Sequence, residues 1–250
     1  MSLQLEFVGH ACFRLWEDGR PTIVMDPYLQ EKCDLVDDGF RLDAETVIVS
    51  SLTDPAHDNV KLVNGNPRVI NALDVATGRA NATINGEPIY AIPAAEIADH
   101  PEGTDDNALY AFKADGLWFA HLGDLGFGLS NEELEPWIGH CDVLMPIVGE
   151  KYTVPLEDLD RMIGFLKPTW IVPMHYYLPP LGGEGHPGGG MTTVDKFINR
   201  RTHDPIIIAR HHTITFPLTK SHDGRPTIVL LEPSGYRATG GIPQIYCNWY

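Results

Sequence analysis

The chain has 250 residues, which allows one large domain or two small ones on the usual scale of roughly 150 residues per domain. Hydrophobic residues make up 43% and charged residues 21%, ordinary globular usage that excludes a disordered or fibrous chain. Eighteen Lys and Arg against 34 Asp and Glu leave a net charge of -16, which disfavours nucleic acid and anionic membrane surfaces as partners. No apolar run reaches the roughly 20 residues of a membrane span, and the segment from Met1 to Phe7 lacks the basic start and apolar stretch of a signal peptide. Cys12, Cys33, Cys141 and Cys247 are widely spaced, form no CxxC pair and read as small buried residues. A reducing cytoplasm is the expected location.

In chain order, the first half reads mainly as strands. Leu3 to Phe7, Ala11 to Trp16 and Thr22 to Met25 are short apolar runs, and Glu17-Asp18-Gly19-Arg20 marks a hairpin between the second and third. The β-branched run Thr46 to Ser50 has the composition of a strand buried on both faces. Arg68 to Asn71, Pro88 to Ile92, Ala108 to Lys113 and Leu117 to His121 follow, the last two joined by the turn Ala114-Asp115-Gly116. The second half alternates helix and strand. Ser130-Asn131-Glu132-Glu133 fits a capping box opening a short helix toward Trp137. Asp142 to Pro146 is a strand, and Pro155 to Leu166 is the clearest helix, with Pro in its first turn and Leu156, Leu159, Met162, Ile163 and Leu166 on one stripe. Thr169 to Pro173 is a strand, Thr193 to Arg201 a helix, and Ile206 to Ala209 and Thr227 to Leu231 are strands. The Gly-rich segment Leu181 to Gly190 reads as a loop near a site. This order predicts an α+β or α/β sandwich of sheets covered by helices, in a single domain spanning 1–250 with 234–250 as a C-terminal extension. The aromatic tail from Ile245 to Tyr250 reads as a docking segment.

Four segments place an Asp, Glu or His just beyond an apolar run, where loops are free to converge on a cleft. They are Ser50 to Asn59, Ile92 to Glu96, His121 to Gly126 and Val172 to Tyr177. Each alone is a weak signal, since such residues also cap helices and close turns.

With Val8-Gly9-His10-Ala11-Cys12-Phe13, Asp26-Pro27, His121-Leu122-Gly123-Asp124 and Pro173-Met174-His175-Tyr176 in this order, the chain resembles the metallo-β-lactamase-fold hydrolases. The branch it is most similar to is that of ascorbate-6-phosphate lactonase. The resemblance implies a four-layer αββα sandwich with a metal site at the sheet edge. It also exposes a degenerate signature. The family's HxHxDH falls without gaps on Leu52, Asp54, Ala56 and His57, so only His57 matches. The next family ligand falls at Glu96, the bridging Asp at Asp124 and the final His at His175. The implied metal ligands are therefore Asp54, His57, Glu96, Asp124 and His175, with Asp124 and His57 as the catalytic pair. One half-site would be all oxygen (Asp54, Glu96, Asp124) and the other mixed (His57, Asp124, His175). Mixed sets suit Zn²⁺, Fe²⁺ or Mn²⁺, so the expected cofactor is one divalent metal ion at most, with an empty site as the other outcome.

Two readings stay open for His10, a place near the pocket or a structural hydrogen bond. His121 reads as a satisfied interior imidazole, and His186 as a residue that could close over the site. The remaining histidines read as surface or structural. The function expected is metal-dependent hydrolysis of a small ester, lactone or phosphoester by a metal-activated water. The competing expectation is an inactive descendant serving as a binding or assembly module. A small-molecule partner is expected, and a homo-oligomer stays open.

Overall fold

A computed structural model describes residues 2–29, 39–54, 57–96, 106–151, 153–177 and 191–235. The antiparallel meander at the N-terminus consists of β1 (Leu3–Gly9), β2 (Cys12–Glu17) and β3 (Arg20–Met25). The β2–β3 turn carries Asp18 and Gly19 at positive φ, as its sequence requires. β4 (Thr46–Val49) and β5 (Arg68–Asn71) then add in parallel to β3. Along β3 and β4, Met25 and Ile48 join the main core while Val24, Val47 and Val49 join a second cluster around Tyr28, Leu42 and Leu62. This period-2 division buries both faces, as the β-branched run of β4 predicts.

A short helix, α1 (Ala72–Ala76), and a two-residue hairpin, β6 (Thr83–Ile84) and β7 (Glu87–Pro88), lead to the second sheet. It begins with β8 (Tyr90–Ala95), β9 (Asp106–Ala114) and β10 (Leu117–His121), all antiparallel. β11 (Val143–Met145) and β12 (Trp170–Ile171) continue in parallel. Between β10 and β12 lie α2 (Asn131–Leu134), opened by the Ser130/Glu133 capping box, and α3 (Leu156–Leu166), whose buried face is the expected stripe. Pro155 sits one position earlier than its sequence suggests, capping α3 rather than entering it.

After α4 (Val194–Arg200), β13 (Ile206–Ile208) and β15 (Thr227–Leu230) complete the second sheet, while β14 (Thr213–Phe216) crosses to pair with β1. The strand orders are β14-β1-β2-β3-β4-β5 and β13-β15-β12-β11-β10-β9-β8. The two sheets pack face to face. Phe216 of the first stacks edge-on against Phe119 and Trp170 of the second, at 5.7 and 5.4 Å between ring centroids, and one apolar cluster runs through both from Leu3 to Leu231. This is the αββα sandwich expected. The β6–β7 hairpin, α1 and β14 are the elements the sequence reading lacked.

Among the described residues no helix is long and apolar enough to cross a membrane. Cys12 and Cys141 are buried free thiols, whereas Cys33 and Cys247 lie outside the described residues. The loop Leu181 to Gly190, His186, Ala56 and the aromatic tail also lie outside them.

Candidate metal centre

Topology decides where the polar residues meet. β1 and β3 both run antiparallel to β2, so they point the same way, and β4 runs parallel to β3. The residues leaving their carboxyl ends (His10 after β1, Asp26 after β3, and Asp54 and His57 beyond β4) therefore share one edge of the sandwich. Asp124 beyond β10 and His175 beyond β12 reach the same edge from the second sheet. Strand ends of this kind are where open sheets place their ligands.

His57 is the hub. It is fully buried, and its Nδ1 lies 3.3 Å from Oδ2 of the equally buried Asp26. The other oxygen of Asp26 accepts the Ser50 N–H at 2.8 Å and the Tyr110 hydroxyl at 3.1 Å. A carboxylate can only accept, so His57 presents a proton at Nδ1 and turns Nε2 outward. That Nε2 faces Asp124 Oδ2 at 3.6 Å and Asp54 Oδ2 at 3.8 Å and has no hydrogen-bond partner. Asp124 directs its second oxygen, also without a hydrogen bond, toward His175 Nε2 at 3.7 Å.

These separations are too long for hydrogen bonds. They lie close to the roughly 3.4 Å between two donors that each stand about 2.1 Å from one tetrahedral ion. The donor chemistry fits as well: two imidazoles and two carboxylates, one imidazole oriented by a buried carboxylate behind it. The residues present therefore fit a divalent cation.

Without an ion, the charges compensate one another. Burial opposes protonation of His57, but Asp54, Asp124 and Asp26 outweigh it and raise the pKa to about 10. Burial pushes the Asp124 carboxyl up to about 7, against the pull of His57. Burial and the charge of His57 press His175 down to about 3, leaving a neutral ring. For Asp26 burial works upward, yet His121, His57 and the Ser50 N–H together hold it below the ordinary carboxylate value.

Of the five residues implied as ligands, Asp54, His57 and Asp124 form one convergent set, and His175 adjoins it through Asp124. Among the described residues, the two groups of three whose donor atoms lie within 4.8 Å of one another do not include Glu96. It is buried just past β8, where the Ala95 carbonyl accepts the Gly126 N–H at 3.0 Å, beside the loop that carries Asp124. Leu52, on a family ligand position, is 48% exposed.

His121 is a satisfied interior residue. Its Nε2 lies 2.8 Å from the Ala11 carbonyl and must donate, while Nδ1 accepts the Gly123 N–H at 3.0 Å, so neither nitrogen is left for an ion. Two site residues escaped the ligand expectation. Asp26 stood only as a motif marker, and its pairing with His57 across 31 positions leaves no local signal. His10 is in ring contact with both His57 and His175, at 4.9 and 4.1 Å between centroids. His10, Asp26 and His175 all hold positive φ (54°, 41° and 51°), a conformation uncommon outside glycine that clusters at functional sites.

Comparison with known proteins agrees with this architecture. Residues 4–175 match the family model of the beta-lactamase superfamily domain. A metal-dependent hydrolase of Thermococcus onnurineus is 23% identical over 203 residues, covering 73% of this chain and 88% of the relative. A metal-dependent hydrolase of Thermococcus kodakarensis is 27% identical over 201 residues, covering 72% and 87%. Among solved structures, a candidate Zn-dependent hydrolase of the metallo-beta-lactamase superfamily from Thermotoga maritima superposes with a TM-score of 0.62 at 25% identity, over 92% of this chain and 98% of that one. The metallo hydrolase Igni18 of Ignicoccus hospitalis shares the fold at a TM-score of 0.52 and 21% identity, over 88% of this chain and the whole of its own. With its two packed sheets, its imidazoles and carboxylates gathered at the strand ends and this match over most of its length, the chain belongs to the beta-lactamase superfamily.

Proposed function

We propose that the protein is a metal-dependent hydrolase of small esters, lactones or phosphoesters. One observation carries the reading: the buried Nε2 of His57, its proton directed to the far nitrogen by Asp26, faces two carboxylates and has no hydrogen-bond partner. A cation bound there would lower the pKa of a coordinated water and polarise the scissile group. His57, Asp124 and His175 would hold the ion, with Asp54 beside them.

The chain's own residues supply the rest. Asp26 keeps His57 in the tautomer that leaves Nε2 basic. Asp54, 3.8 Å from that nitrogen, would take a proton from a water at the site. Leu52 and Phe127, 48% and 44% exposed, lie two and three residues from the two carboxylates and offer apolar surface to an uncharged part of the substrate. The net charge of -16 favours a neutral or singly charged substrate over a polyanion.

The test loads metal-stripped protein with Zn²⁺, Mn²⁺ or Fe²⁺ and follows hydrolysis of p-nitrophenyl esters, a γ-butyrolactone series and bis-p-nitrophenyl phosphate. Turnover that a chelator removes and metal restores is expected. Failure to bind any of the three ions, together with no turnover, would overturn the reading in favour of a binding or assembly module.

A further inference from the structure

The site contains one imidazole beyond the two, His57 and His175, that stand on family ligand positions in this chain. Besides the set Asp54, His57 and Asp124, the nitrogens of His10, His57 and His175 also lie within 4.8 Å of one another. His10 leaves β1 at the irregularity where Gly9 pairs with Cys12, and its backbone sits at φ 54°. Its carbonyl accepts the His175 N–H at 2.8 Å, which ties the two loops together. The rings of His57 and His175 lie nearly parallel, 15° apart, and His10 meets both edge-on at 73° and 68°. The His10 Nδ1 and His175 Nδ1 atoms are buried without a hydrogen-bond partner. Three imidazoles brought together with unsatisfied nitrogens, two of them (His10 and His175) on backbones at positive φ, are poorly explained by packing alone.

His57 limits how many ions the two sets can hold. Its Nδ1 is engaged by Asp26, so Nε2 is the one donor atom it can offer to an ion in either set. Two ions cannot both use it.

We propose that the protein holds a single ion in a three-imidazole site formed by His10, His57 and His175, with Asp124 as the fourth donor and Asp54 outside the coordination shell. This inference rests on the metallohydrolase reading and specifies its ligands. His10 would replace nitrogen donors that the family pattern loses at Leu52 and Asp54. A site of three nitrogens and one oxygen suits Zn²⁺ or Co²⁺ better than Mn²⁺ or Mg²⁺.

The experiment compares the full-length wild type with His10→Asn and Asp54→Asn, each stripped and titrated with Zn²⁺, Mn²⁺ and Co²⁺. Asn tolerates positive φ, so His10→Asn removes the ligand with little backbone strain. Circular dichroism checks the fold. X-ray absorption at the zinc edge should count three imidazoles in the wild type and two in His10→Asn. Zinc affinity should fall about tenfold or more in His10→Asn, with a narrower preference for Zn²⁺ over Mn²⁺, and much less in Asp54→Asn. The cobalt spectrum should shift only in His10→Asn. If the wild type binds one ion with two imidazoles, or if Asp54→Asn loses the ion while folded His10→Asn keeps it, the three-imidazole site is wrong and the metallohydrolase reading stands. If the wild type binds none of these ions, both fail.

Discussion

Replacing Asp26 by Asn tests how a residue that need not touch the metal controls the site. In the wild type one oxygen of Asp26 accepts two donors, the Ser50 N–H and the Tyr110 hydroxyl, and the other faces His57 Nδ1. Asn has one oxygen and one NH₂. Turning the NH₂ toward Ser50 and Tyr110 would set it against two donors, so its oxygen takes that side and its NH₂ meets His57 Nδ1. The ring must then accept there and move its proton to Nε2, the atom aimed at Asp124 and Asp54. A protonated Nε2 cannot bind a cation. Losing an outer-shell partner of this kind typically costs 10- to 100-fold in metal affinity, or about 1.4 to 2.7 kcal/mol. Fold stability should fall far less, because each hydrogen bond of the buried cluster can be rebuilt. Competition with a zinc-sensitive dye measures the affinity, and nitrogen NMR of the imidazoles reports the tautomer and the His57 pKa, which should drop as the Asp26 charge is lost. Zinc affinity within threefold of wild type, with the proton still on Nδ1, would refute the orientation argument.

Metal binding should release protons. His57 titrates near 10 and must lose its proton to bind, so affinity should rise with pH toward 10 and calorimetry in buffers of different ionisation enthalpy should detect about one proton released at pH 8. In the metal-free protein the raised pKa of Asp124, near 7, favours the protonated fold. Its contribution to stability should therefore be complete below about pH 4 and be lost as pH rises through 7, which denaturant melts with and without zinc can follow. His121→Ala should leave metal stoichiometry unchanged but lower stability by about 2 to 4 kcal/mol, since it orphans the Ala11 carbonyl and the Gly123 N–H in the core. Gly149→Ala places a Cβ 2.4 Å from the His175 carbonyl oxygen, and both thermal stability and zinc affinity should decline as the His175 loop is pushed aside. An unchanged melting curve for that variant would show that the loop yields freely.

Much of the fold is legible in the sequence because its signals are local. The β-branched run at Thr46 to Val49, the turns at Asp18-Gly19 and Asp115-Gly116, the Ser130/Glu133 box and the stripe of α3 each follow from a few neighbouring residues, and each appears in the structure as read. The place of β14 was not legible for the opposite reason. Its residues Thr213-Ile214-Thr215-Phe216 form an alternating β-branched run, but they gain their pairing from β1, some 210 positions earlier, so nothing nearby in the chain says which sheet they join.

The site divides in the same way. Asp54, His57, Asp124 and His175 could be nominated from their places beyond apolar runs and from motif order, but the sequence could not say which nitrogen of His57 is available or what orients it. That depends on Asp26, 31 residues away, and on Tyr110, 84 residues from Asp26. Glu96 shows the limit of that signal, since a carboxylate at a strand end is nominated by position alone, and it stands outside the two groups of three that converge within 4.8 Å. His10 remained undecided in the sequence because a histidine between two strands reads equally as structure or site. The order of short strands, the turns and the burial of each face come from local residue pattern and were determined by the sequence alone. Which imidazoles face one another was decided only when two sheets packed and aligned the ends of β1, β4, β10 and β12, because convergence at a metal depends on distances between segments that share no local pattern.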